Sequence, residues 1–427
     1  MSLGERASIP EAMVMGPRAD TADASAQWKP LPRTSGGSIL VDRLIVFFCA
    51  CVIFVGISFE HMPAALIQAL PVVSGLAVIA VVRRDEFVRV QLSIGLLALL
   101  AWMVLSYFWS VDPSDTFFQI RIVVPTIVFG FVIGQLTSPQ QLLRGLAVVV
   151  YPTLVVTVAS LVLLPSRRVS SPTDDVVGWR GPMNHKNGLG GFLVLVTVCM
   201  VLSQHRRWVQ IVVGITVAIL IFGSDSRTAL VVVTLIIIVR LFSARWRRET
   251  TSVGRAGVFG AMVAWTIAVF VVVTFGSGLL LSELGREGNL SGRDSIWEAV
   301  KPVVMKRPVQ GYGLGALWTT REQPTIQISQ AAGNGTLRYG SSHNAILEVL
   351  LQLGAVGFVL GLGLLLRTLI RSARLGLRAD DPVSLLPFMF VVALSIMSFT
   401  EAVFPAQFRF LGLLVGMTLP NAMWRRR

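Results

Sequence analysis

From residue 41 onward the chain alternates apolar runs with short polar connections, and each run approaches the ~20 residues that carry a helix across a bilayer. The runs fall at about 41–59, 64–82, 90–108, 121–137, 143–164, 188–203, 208–223, 228–243, 257–276, 343–366, 383–402 and 405–423, and they predict about twelve transmembrane helices. Most lack the polar stripe at helical spacing that marks a soluble amphipathic helix. The pattern therefore predicts an all-α integral membrane protein. One interruption is much longer than the rest, at residues 277–342 between the ninth and tenth runs. Connections of that length are uncommon unless they serve a function, so this one is read as an active-site lid.

The layout that follows is a tail at 1–38, nine helices over 39–276, the loop at 277–342, three helices over 343–423 and a basic end at 424–427. Composition agrees with the pattern. Hydrophobic residues make up 54% of the 427, and the mean hydropathy is +0.71. The net charge of +14 would suit nucleic acid in a soluble protein. In a membrane protein its placement is more telling, and no nucleic-acid partner is inferred.

With the N-terminus inside, the cytoplasmic connections collect Arg83, Arg84 and Arg89, Arg206 and Arg207, Arg245, Arg247 and Arg248, and Arg425 to Arg427. The short outer loops are poorer in base, and long loops translocate largely regardless of charge. Both termini are therefore assigned to the cytoplasm. The first 38 residues are rich in Pro, Gly, Ser and Ala without an apolar core, which reads as a disordered tail and not as a cleaved signal. Cys49, Cys51 and Cys199 all sit within apolar runs, so the outer loops are expected to hold neither disulfide nor cysteine-based metal site.

On the outer side, WSVDPSDTFF reads as ordinary solvated connection. The stretch GPMNHKNGLGG is richer, setting Arg180 just before it and His185, Lys186 and Asn187 at the start of the sixth run. Interfacial anchoring, with Trp179 at headgroup depth, is the alternative reading. The SDSR turn places Arg227 at the start of the eighth run with Asp225 two residues earlier, where a local Asp–Arg pair would be the plainer explanation. Within the long loop, SGRDSIWEAV sets Ser291 as an N-cap and Arg293 near the start of a short amphipathic helix expected on the membrane surface, with Pro302 kinking or ending it. His343 opens the tenth run. Asn344 and Glu348 follow four residues apart on one helical face, and an intramembrane carboxylate is a functional candidate by default. Glu401 and Arg409 are read as a structural pair across the FPAQ turn.

His185 to Asn187, Arg227 and His343 all begin even-numbered helices, whose N-terminal ends face outward by parity. Three helix N-termini with unpaired N–H groups and positive dipole ends, beside Arg and Lys, are the chemistry of an anion site. A diphosphate suits such a site, and arginine holds its oxygens bidentately.

GPMNHKNGLGG, the SDSR turn, SGRDSIWEAV followed by PVQGYGLGA, and SSHNAILEVLLQLGAVG together resemble the O-antigen ligase and polymerase family, including exopolysaccharide polymerases of the ExoQ kind, over about residues 90–420. The resemblance implies a bacterial inner-membrane glycosyltransferase acting on the periplasmic face, with an undecaprenyl-diphosphate-linked glycan as donor. It implies catalytic roles for Arg227, Arg293 and His343. Arg180, His185, Lys186, Asn187, Asn344 and Glu348 are then expected to bind substrate.

The acceptor would be a growing glycan in a polymerase or lipid A-core in a ligase, and polysaccharide export and chain-length proteins are the expected contacts. No Asp-x-Asp or HExxH motif appears, so neither metal nor cofactor is inferred. A lipid-linked-glycan flippase or transporter is the rival of another class. Such folds commonly show repeated halves, and no internal repeat is found.

Overall fold

The computed structural model describes residues 91–168, 178–183, 185–271, 293–318, 324–331, 341–379, 381–400 and 406–419, with a few helical residues between 43 and 77. Among these residues every extended element is a helix. The order is α1 (Ile94–Leu105, prolonged by a 3-10 turn at Ser106–Trp109), α2 (Pro113–Leu136), α3 (Pro139–Leu163), α4 (Lys186–Leu202), α5 (Arg207–Ser224), α6 (Arg227–Arg248) and α7 (Ser252–Val271). There follow α8 (Arg293–Lys306), α9 (Thr325–Ala331), α10 (Ala345–Arg378), α11 (Leu386–Thr400) and α12 (Ala406–Thr418).

From the third predicted run onward each run overlaps one of these helices, and α8 and α9 lie inside the long polar stretch. By length and composition α2, α3, α5, α6 and α10 are long and apolar enough to cross a membrane. The first predicted run lies almost wholly, and the second in large part, outside the described residues, as do Ser291 and Glu401 of the predicted Glu401–Arg409 pair.

Local chemistry explains the helix starts. Asp112 accepts the N–H of Asp115 at 3.1 Å and Pro113 takes the first helical position, so α2 begins eight residues before the predicted run, inside the stretch read as solvated connection. Ser138 and Gln141 form a reciprocal capping box at the start of α3, again followed directly by Pro. Within the helices Thr126, Thr153, Thr157 and Thr197 return their hydroxyls to the carbonyl four residues back. That leaves these polar groups satisfied inside an apolar bundle.

Three buried clusters hold the bundle. The largest joins α3, α4, α5, α6 and α11 around fully buried Phe192, Leu189 and Leu193. A second joins α1, α2, α10 and α12, with Leu99 and Met103 at its centre. In it Gly134 of α2 and Gly412 and Gly416 of α12 each face the partner's backbone with no room for a side chain, the small-residue packing that lets membrane helices approach closely.

The third cluster belongs to the long polar stretch. Ile296, Val300, Val303 and Val304 of α8 pack on Tyr312, Leu317, Ile328 and Leu351. The apolar face assigned to the membrane surface is thus covered by protein, and Pro302 lies within a continuous α8 without ending it.

The stretch is built into the bundle at one point. Helix α10 is two half-helices broken at Gly354, whose φ of 64° and ψ of −167° are not helical. Residues 308–316 thread the break. Tyr312 and Gly313 donate their N–H groups to the carbonyls of Leu351 and Gln352 at 2.8 and 3.0 Å, and the Trp102 indole donates to Leu353 O at 2.8 Å. From the second half, Ala355 and Val356 donate to the carbonyls of Pro308 and Val309 at 2.8 and 3.3 Å. Non-helical backbone within an apolar bundle persists only where protein or water satisfies it, and here the inserted loop does so.

Glycine is required on both sides of this contact. A methyl group on Gly311, at φ 71°, would sit 2.6 Å from the Gln352 carbonyl carbon, and one on Gly354 would run into the Val309 carbonyl.

Candidate functional site

The sequence-predicted residues fall into two groups, both built at helix N-termini. In the first, residues 178–187 fold onto the turn between α5 and α6. The Trp179 N–H donates to Gly223 O at 2.7 Å and its ring lies on Gly223 itself, so this tryptophan packs within the protein. Arg180 and Gly181 donate their N–H groups to Arg167 O at 3.1 and 3.3 Å, which fixes the backbone ahead of buried Met183.

His185 is the N-cap of α4 and accepts the Asn187 N–H at Nδ1, 3.2 Å. Lys186 Nζ lies 3.3 Å from Asp225 Oδ2, so Asp225 pairs with Lys186 across the turn. Asp225 ends α5 in a left-handed conformation, φ 51°, and Ser226 caps α6 so that exposed Arg227 is its first residue. Arg180, His185, Lys186, Asn187 and Arg227 are therefore neighbours.

The second group surrounds the start of α10. Arg293 is the first residue of α8, and His343, half-buried, directly precedes the α10 N-cap. Asn344 is that cap, its Oδ1 accepting the N–H groups of Ile346 and Leu347 at 2.9 and 3.2 Å. His343 has a φ of 50°, a conformation that costs a non-glycine residue on the order of 1–3 kcal/mol.

One turn on, Glu348 is buried at 1% exposure. Its Oε1 accepts the Trp318 indole N–H at 2.5 Å and the Gln352 amide at 2.6 Å. Its Oε2 accepts the Ser342 N–H at 3.0 Å and lies 2.7 Å from the Ser342 hydroxyl. The Trp297 indole of α8 donates to Ser342 O at 3.0 Å, and the Gly315 N–H donates to Gln352 Oε1 at 2.7 Å.

Residue-by-residue reading missed Trp297, Trp318, Ser342 and Gln352. Of these only Gln352 left a signal, four residues after Glu348 on the same helical face. Beside them Arg307 donates to Trp109 O at 3.1 Å and stacks on Tyr312, its Cζ 5.1 Å from the ring centroid. Burial pushes the Tyr312 phenol above its ordinary pKa against the opposing pull of Arg307, and its hydroxyl donates to Val303 O at 2.9 Å.

The helix directions relate the two groups. Lys186 meets Asp225 at one end of α4 and α6, while Arg240 Nε donates to Val201 O at 3.1 Å toward the other. The sequence offset is 39 in both cases, so the two helices run in parallel. Arg247, near the C-terminus of α6, donates to Gly376 O near the C-terminus of α10 at 3.3 Å, so α10 reaches the same end as α6. Its N-terminus, with His343, then lies toward the end that carries Arg227 and Lys186. Helix α11 packs against α4, α6 and α10 and ties the groups into one bundle.

Comparison with known proteins matches residues 212–362 to a family model described as O-antigen ligase. Over 314 residues the chain is 23% identical to the exopolysaccharide production protein ExoQ of Rhizobium meliloti (strain 1021), an alignment that covers 70% of this chain and 69% of ExoQ. The matched segment runs from within α5 to within α10. Arg227, Arg293, His343, Asn344 and Glu348 lie inside it, and the His185 to Asn187 cluster precedes it. By both matches the chain is similar to the O-antigen ligase and polymerase family, with the family model covering residues 212–362.

Proposed function

We propose that the protein is a glycosyltransferase of the bacterial inner membrane, with both termini in the cytoplasm, that works on the periplasmic face. It polymerises repeat units of an exopolysaccharide or O-antigen from an undecaprenyl-diphosphate-linked oligosaccharide. The observation that carries this reading is the common direction of α4, α6 and α10, whose N-termini bear Lys186, Arg227 and His343. Helix N-termini with adjacent cations favour a diphosphate over a neutral ligand.

In the reaction an acceptor hydroxyl attacks the anomeric carbon of the donor, the bond from that carbon to the diphosphate oxygen breaks, and the proton passes to His343. General-base action of this kind is worth roughly 10²–10⁴ in rate. Arg227 and Arg293 hold the diphosphate and stabilise the charge that grows on it as the lipid leaves, a term often larger than the proton transfer. Arg180, His185, Lys186, Asn187 and Asn344 line the approach of the glycan. The leaving group is already activated, so the reaction as proposed calls on no metal or cofactor.

The test is conversion of lipid-linked repeat units to longer chains by purified protein in detergent, with no ion gradient. Failure of the active preparation to extend them would leave a flippase or transporter as the better reading. Transfer to lipid A-core is the second reading, favoured by the ligase description of the matched family model. Offering lipid A-core in the same assay separates the two, since a polymerase extends the lipid-linked glycan and leaves the core bare.

A further inference from the structure

We infer that Glu348 is a positioning residue that sets His343 for proton transfer, an inference that rests on the reading of His343 as the general base. The Glu348 carboxyl takes four contacts on two oxygens, from the Trp318 indole, the Gln352 amide, the Ser342 N–H and the Ser342 hydroxyl. Two of the four fall on the residue directly before His343.

Ser342 is also held from the opposite side, its carbonyl receiving the Trp297 indole of α8. On the far side of His343, Asn344 is locked into the α10 cap. His343 therefore sits between two anchored neighbours in a left-handed conformation, φ 50°, that a non-glycine residue keeps only where its surroundings over-determine it. Glu348 is the group that binds the loop side of that bracket to the helix.

The same carboxyl senses the threaded loop. Gln352, which donates to Glu348, accepts the N–H of Gly315, and Trp318 arrives from the end of that loop. Undocking residues 308–318 would remove the Trp318 contact and free Gln352, so the placement of His343 depends on the loop being seated. An amide cannot replace the carboxyl, because one end of it would present an NH2 to donors.

The experiment uses the full-length protein in detergent with lipid-linked repeat units, and compares Glu348→Gln, His343→Ala and the double variant. Glu348→Gln is expected to lower kcat about 10- to 100-fold, the scale of a displacement of roughly 1 Å at a reacting group, with KM for the donor unchanged. The double variant is expected to be no slower than His343→Ala alone, since Glu348 acts through His343. Wild-type kcat in Glu348→Gln, a raised KM at unchanged kcat, or a further fall in the double variant would each overturn the positioning role.

Ser342→Ala removes one arm of the bracket without touching the carboxyl. It decides the matter if Glu348→Gln fails to fold: a smaller fall in kcat at constant KM supports the role, and an unchanged kcat overturns it. A wild-type rate in His343→Ala would instead remove the general-base reading itself, whatever Glu348→Gln does.

Discussion

An arginine fork and a lysine ammonium carry one charge each but not one geometry, and at Arg227 and Arg293 the difference is measurable. If both hold a diphosphate through paired N–H groups, Arg→Lys at either is expected to lose polymer nearly as completely as Arg→Ala, read by gel analysis of the glycan at matched protein level. Near-normal polymer from both lysine variants would reduce them to electrostatic anchors. His343 offers a cleaner separation of fold from chemistry. Asparagine tolerates left-handed φ better than most residues, so His343→Asn is expected to keep the wild-type Tm while leaving single repeat units on the carrier. A large fall in Tm would mean the imidazole holds the fold. The positions of Arg227, His343 and the His185 to Asn187 triplet at helix starts were legible in the sequence, because a polar residue at the start of an apolar run is read without knowledge of distant contacts. The partner of Asp225 was not legible, since Arg227 is nearer in sequence and Lys186 is nearer in space.

Among the elements, α10 is where pattern and structure part. LEVLLQLGAVGFVL reads as one uninterrupted helix, and each of its two glycines, Gly354 and Gly357, would ordinarily be tolerated at about 1 kcal/mol. The break at Gly354 exists because residues 308–316 supply the hydrogen bonds that the helix gives up. Gly354→Ala is therefore expected to destabilise by on the order of 1–3 kcal/mol from backbone conformation alone, with a further cost from the Val309 carbonyl. The checks are a lower Tm and new protease cleavage within 308–316; an unchanged Tm would show that the loop is not seated in the break. Helix α8 teaches the complementary lesson. Its amphipathic spacing was readable, but what covers its apolar face was not, because Tyr312, Leu317 and Ile328 reach it through chain reversals that carry no local signal.

At the scale of the whole molecule, the proposed orientation across the bilayer is directly testable. Reporter fusions or single-cysteine labelling at residues 285–290 and 335–340 are expected to report the periplasm, and at 244–255 and 371–381 the cytoplasm. A cytoplasmic signal from 335–340 would put Arg293 and His343 out of reach of a periplasmic donor. The close backbone approach of α2 and α12 supplies a second prediction. Gly416→Leu is expected to separate the two helices and lower Tm, since no side chain fits against the Phe131 carbonyl. A variant as stable as the wild type would show that this contact contributes little.

The sequence by itself determined that the chain is a helical membrane protein, where most helices begin, and which charged residues stand at their N-termini. These follow from hydropathy, capping residues and Pro or Gly punctuation, all of which act within a few residues of where they are read. Tertiary structure alone decided that the long polar stretch is threaded through a broken helix and that Glu348 gathers Ser342, Trp318 and Gln352. The physical reason is separation along the chain: Trp102 and Leu353, which seal the break, are 251 residues apart, and only the folded bundle sets such groups within hydrogen-bonding distance.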